Sequence, residues 1–99
     1  MSGGYSIVDL SKYAVAGERY FCPLSEMSPD ITAALLDEKP VYLKNLTFYE
    51  DNVSIKVDCY PTRVSGPYGE VIYLLDTPFS RVMVMLNRED FTIEVMKGN

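Results

Sequence analysis

The chain has 99 residues, with 9 Lys and Arg against 14 Asp and Glu, a formal net charge of -5, two Cys, no His and no Trp. That length makes a single domain over residues 1–99. Without His there is no Ser–His or Cys–His nucleophilic pair and no imidazole metal ligand, two Cys cannot close a four-ligand zinc site, and the acidic balance argues against direct nucleic-acid binding, which needs a Lys/Arg surface.

Hydrophobic residues make up 47% of the chain and charged residues 23%, ordinary values for a globular domain. The start, Met1-Ser2-Gly3-Gly4-Tyr5, has neither the basic nor the apolar stretch of a signal peptide. The longest wholly apolar run, Val82 to Leu86, falls far below the 18 or more residues of a membrane span. The expectation is a soluble, cytoplasmic protein with no membrane contact, and with Cys22 and Cys59 as free thiols.

In chain order, Ser6 to Gly17 is ambiguous. Ile7, Leu10 and Ala14 make a short helical stripe, while Tyr5 to Val8 reads equally as a strand. Arg19 to Cys22 reads as a short strand ended by Pro23. A helix is predicted at about 29–38. Ser28 suits the N-cap, Pro29 the first helical position and Asp30 the first turn, and Pro40 stops it. Residues 1–40 thus form a mixed region and residues 41–96 read as strands. Val41 to Tyr49 switches its apolar parity between Leu43 and Leu46, the signature of a bulge or of burial on both faces. Val53, Ile55, Val57 and Cys59 alternate with Ser54, Lys56, Asp58 and Tyr60, and Pro61 closes that strand. Val71 to Leu75 and Val82 to Leu86 are continuously apolar, as for central strands covered on both faces. The last strand sets Phe91, Ile93 and Val95 inward. Short connections favour antiparallel neighbours. The expected fold is α+β, an antiparallel meander of about five strands with the N-terminal helix packed on it. The alternative is a small five-stranded β-barrel capped by the helix. An open sheet would leave Val41–Tyr49 or Phe91–Met96 as an edge able to pair with another chain, a route to homo-oligomers.

The adjacent carboxylates Asp37-Glu38, Glu50-Asp51 and Glu89-Asp90 fall at a helix end and at turns, where they read as solvated charge. Cys59 lies on the apolar face of its strand and reads as an inert core thiol. Gly66-Pro67-Tyr68-Gly69 is a bare G-x-x-G between strands and carries no weight. The segment Tyr60 to Glu70 is the longest connection in the strand region, with two Tyr and one Arg, the residue types enriched at binding hot spots. The eight tyrosines form the second lead, because Tyr42, Lys44, Asp58 and Tyr60 fall together on one outer sheet face.

The expected site is therefore a binding site, with Tyr42, Asp58, Tyr60, Arg63, Tyr68, Glu70 and Arg81 as its candidates and no catalytic, metal or cofactor residues. The expected function is that of a small acidic, non-enzymatic protein occupying a surface of a larger protein. A phage- or mobile-element-type inhibitor of a host enzyme is one concrete form. The alternative is an oligomeric small-molecule (nucleotide) binding or sequestering protein, in which Arg63 and Arg81 hold phosphate while Tyr60 and Tyr68 stack on the base.

Overall fold

A computed structural model describes residues 4–13, 15, 19–37, 40–50, 52–77 and 80–96, with the side chain of Glu50 excepted. Eight strands and one short helix follow one another: β1 (Ser6–Asp9), β2 (Arg19–Pro23), α1 (Pro29–Leu36), β3 (Val41–Glu50), β4 (Val53–Cys59), β5 (Thr62–Ser65), β6 (Val71–Asp76), β7 (Arg81–Leu86) and β8 (Asp90–Met96). They form two sheets. One is three-stranded and mixed, in the order β1-β3-β4; the other is five-stranded and antiparallel, in the order β2-β8-β7-β6-β5.

The α+β reading holds in this coarse form, with two corrections. The five strands expected over 41–96 do not make one meander, because β3 and β4 leave for the second sheet, and β2 and β5 complete the first. Nor do the described strands close into a barrel. The split follows from pairing partners. β1 runs parallel to β3, with Ile7 opposite Tyr42 and Asp9 opposite Lys44, and the same line continues through Val15, whose N–H donates to the Thr47 carbonyl at 2.9 Å. The β3–β4 hairpin turns through Asn52 in the left-handed region, at φ 66°.

The inner faces of the two sheets share one core. Val8, Leu43, Leu46 and Phe48 come from the three-stranded sheet; Tyr73, Val84, Leu86, Phe91 and Ile93 come from the five-stranded one. At one end Tyr13 stacks on Phe91 with centroids 5.7 Å apart. The bulge expected between Leu43 and Leu46 is present. Asn45 takes φ 60°, so that Leu43 and Leu46 both point inward although they are three residues apart.

Helix α1 is shorter than predicted, ending at Leu36, and Glu38 lies outside the described residues. Ser28 occupies the N-cap position, but its side chain makes no capping bond; its N–H instead donates to the Tyr13 hydroxyl at 3.3 Å. The C-terminal end is tied to the five-stranded sheet. The last carbonyls of a helix lack partners within it; here the buried Tyr73 hydroxyl donates to the Leu35 carbonyl at 2.7 Å, and the Arg63 guanidinium donates to the Asp37 carbonyl.

Three further expectations are corrected. Val41–Glu50 lies between β1 and β4, and Asp90–Met96 between β2 and β7, so neither is an edge; the edges are β1, β4, β2 and β5. The segment 60–70 is not one long loop. Thr62–Ser65 pairs with β6, and only Gly66 to Glu70 turns. In that turn the Gly69 N–H donates to the Gly66 carbonyl at 3.2 Å, and Gly69 itself adopts φ +82°, a conformation that favours glycine. Finally, the described elements cover β6 and β7 on one face only. Tyr73, Leu75, Val82, Val84 and Leu86 are buried, whereas Ile72, Leu74, Met83 and Met85 are half-buried and lie outside the core cluster.

Candidate functional site

The outer face of the three-stranded sheet gathers most of the aromatic surface. Inward Leu43 pairs with Cys59, so their neighbours Tyr42 and Tyr60 emerge side by side on the opposite face. Tyr42 also pairs with Ile7, and Tyr5, two residues earlier, stands on the same side. The ring centroids lie 4.7 Å apart for Tyr42–Tyr60, 5.2 Å for Tyr5–Tyr60 and 6.1 Å for Tyr5–Tyr42. Tyr5 is 50% exposed, Tyr60 61% and Ile7 64%. Rings this close fill the space between themselves, so they do not form a cage for a cation; they present a continuous amphipathic surface outward. The Tyr60 hydroxyl titrates above the ordinary tyrosine range, chiefly through its hydrogen bond with Tyr5, with burial and the two neighbouring phenols adding to the shift.

Beside the rings a polar line crosses the sheet. Asp58 accepts the Asn45 N–H at 2.7 Å, and the Asn45 side-chain amide donates to Asp9 at 3.3 Å. Asp9 also accepts the Ser11 N–H at 2.9 Å. That last bond, then the Ser11 and Asn45 side chains and the charge of Lys44, lower the Asp9 pKa against a small opposing effect of burial. This line holds the bulge, which sets Tyr42 and Lys44 outward before it and restores inward Leu46 after it.

The other candidates are dispersed. Where the chain passes from β4 to β5, a cleft of about 480 Å³ is lined by Cys59, Tyr60, Leu74, Leu75, Asp76 and Arg81. Arg81 is engaged there by Asp76 at 2.9 Å. Burial, with the Asp58 charge, pushes the Cys59 thiol up, which keeps it protonated and poorly nucleophilic. Tyr68 is 91% exposed at the tip of the β5–β6 turn, where its N–H donates to the Glu70 carboxylate at 2.7 Å. A hollow of about 250 Å³ separates that turn from Asn87 to Glu89. Arg63 belongs to the inner row of the five-stranded sheet, opposite Tyr73, and serves the helix end.

Of the residues singled out from sequence, Tyr42, Asp58 and Tyr60 share one face, Tyr60 and Arg81 share the cleft, Tyr68 and Glu70 share a turn, and Arg63 stands apart. Tyr5 and Ile7 were missed. The period-two spacing of Tyr5, Ile7 and Asp9 carried their signal, but it lay in the segment whose helical stripe competed with it. Among the described residues no group of three or more His, Cys, Asp or Glu stands together as a metal site, and no helix is long and apolar enough to cross a membrane. Comparisons with protein-family models, with curated proteins and with solved structures found no match to this chain. The fold defines a two-sheet α+β domain with an aromatic outer face.

Proposed function

We propose that the protein is a non-enzymatic binding domain that occupies a surface of a larger protein through its tyrosine face. One observation carries the reading: Tyr5, Tyr42 and Tyr60 form a mutually packed, solvent-facing cluster beside exposed Ile7 on the three-stranded sheet. Tyrosines ordered by their neighbours lose little side-chain freedom on binding, and they combine apolar contact area with a hydroxyl for hydrogen bonding. The bulge beneath them is fastened by Asp58, Asn45 and Asp9, so the face is held in shape before any partner arrives. The inhibitor form of this reading rests on small size and acidity alone.

The test is affinity purification of the tagged chain from its native cell extract. A stoichiometric protein partner, lost with Tyr42→Ala/Tyr60→Ala and retained with Tyr68→Ala, supports the proposal. Equal capture by all three proteins removes the tyrosine face from the account. The nucleotide reading draws on the cleft shared by Tyr60 and Arg81. It predicts a thermal shift with a nucleoside triphosphate that Arg81→Ala abolishes.

A further inference from the structure

Among the described residues, β4 pairs with β3 on one side and with no strand on the other. It is also the edge best suited to pairing. β1 and β5 are four residues long and β2 ends at Pro23, whereas Val53–Cys59 runs for seven residues without a proline. Its inward row is unfinished: Ile55, Val57 and Cys59 are half-buried, although their β3 partners Phe48, Leu46 and Leu43 are fully buried. Glu50 pairs with Val53, and the closing pair of so tight a hairpin exchanges its backbone hydrogen bonds. Alternation then directs the N–H and C=O groups of Val53, Ile55 and Val57 toward β3, and those of Ser54, Lys56 and Asp58 outward along the edge. On that edge Lys56 makes no ion pair with the described residues, and Asp58 keeps its Oδ2, since the Asn45 N–H donates to Oδ1.

We infer that this edge pairs antiparallel with the β4 edge of a second copy, about a two-fold axis at Val57, so that the two three-stranded sheets join into one. Charge selects both the occupant and the register. Inward residues must meet inward residues, which leaves few registers open. A pairing centred on Lys56 or on Asp58 sets that residue against its own copy, like charge against like. One centred on Ile55 sets Lys56 against Ser54 and Asp58 against Asn52. The pairing centred on Val57 sets Lys56 opposite Asp58 of the second copy, twice by symmetry, with Val57 against Val57 and Ile55 against Cys59 in the inward row. The strand is therefore complementary to itself, which singles out a second copy from other extended chains. This register also uses the backbone groups of Lys56 and Asp58 that face outward, and Ser54 opposite Tyr60 extends the ladder at each end. A lysine on an edge discourages indiscriminate strand pairing; here one register answers its charge. The contact is confined to one strand per copy, so it forms and dissociates with concentration. It uses the strand edge rather than the tyrosine rings, and it does not rest on the proposed function.

The test is sedimentation velocity of the whole chain over a dilution series, with amide hydrogen exchange measured by NMR at the two ends of the series. The expected result is a mass moving from 11.2 kDa toward twice that value as concentration rises through the micromolar range. Lys56→Glu, an exposed substitution that turns both attractive pairs into repulsive ones, should raise the midpoint at least about ten-fold. Tyr68→Ala, in the β5–β6 turn, should leave it in place. The exchange measurement uses the unaltered protein and so does not depend on a variant folding: the Lys56 and Asp58 amides should exchange freely in dilute solution and become protected as the dimer forms. A constant 11.2 kDa mass up to millimolar concentration, a dimer whose midpoint Lys56→Glu does not move, or a dimer in which those two amides stay unprotected overturns the inference.

Discussion

Tyr73→Phe removes one hydroxyl from the interior and leaves the ring in place. The structure gives that hydroxyl a single task, donating at 2.7 Å to the Leu35 carbonyl near the end of α1, on a residue whose side chain is fully buried. Losing the donor strands a helix-terminal carbonyl, so the cost is that of an unmet buried acceptor, about 1 to 2 kcal/mol. For a domain of this length each kcal/mol lowers Tm by roughly 4 to 8 °C. Urea melts followed by far-UV circular dichroism should therefore show a lower midpoint at an unchanged slope. The pH dependence provides a second check. Burial raises the Tyr73 pKa above its ordinary value of 10.0, the charge of Asp37 adds to the shift and Arg63 opposes it. A raised phenol pKa means that the folded state favours the neutral form. Its contribution is complete below about pH 10 and is lost as pH rises through the folded value. Tyr73→Phe should lack that alkaline loss, so the two proteins converge in stability as pH climbs. A change below about 0.3 kcal/mol at neutral pH, where a met carbonyl would have become unmet, would refute the claim that this bond anchors the helix.

Three other consequences follow from local geometry. Asp58→Ala should cost about 1 to 2 kcal/mol by freeing the Asn45 N–H, whereas Asp58→Asn, which keeps an acceptor oxygen, should recover most of it in the same melts. Gly69→Ala should cost about 1 kcal/mol through backbone strain alone, since nothing lies within 4 Å of the added Cβ; a neutral result in a chemical melt would show that the turn relaxes. Asp9 has a lowered pKa, chiefly through the Ser11 N–H, so its contribution is present above its ordinary value of 3.8 and fades as pH falls through the folded one. The stability gap between wild type and Asp9→Asn, measured at pH 5 and again at pH 2.5, should accordingly shrink in acid.

Local features of this fold were legible because each is written in a few adjacent residues. Pro29 and Pro40 bracket α1, the alternation from Val53 to Cys59 defines β4, and the parity switch after Leu43 announces the Asn45 bulge. Sheet membership was not legible. Alternation, as in β4, or continuous apolarity, as in β6 and β7, reports how the sides of a strand are buried and not which sheet the strand joins. β5 was hidden by its flanks, since Pro61 and Gly66 frame a four-residue strand within what reads as a loop. Arg63 was consequently taken for a free binding side chain, although strand pairing turns it toward the helix end. The uninterrupted apolarity of Val71 to Leu75 and Val82 to Leu86 was read as cover on both faces, whereas the described elements bury one face and leave Ile72, Leu74, Met83 and Met85 half-buried on the other. At the site, Tyr42 and Tyr60 followed from parity, whereas Tyr5 needed the parallel β1–β3 pairing, a contact across more than thirty residues.

The central claim is that Tyr5, Tyr42 and Tyr60 make the surface by which the protein engages its partner. Calorimetric titration of the purified partner with wild type and with Tyr42→Ala/Tyr60→Ala tests it most directly. With buried aromatic anchors worth about 2 kcal/mol each, the account predicts at least a hundred-fold loss of affinity in a variant whose circular dichroism spectrum is unchanged. Binding within about two-fold of wild type by that folded variant, a difference of only about 0.4 kcal/mol, would contradict it.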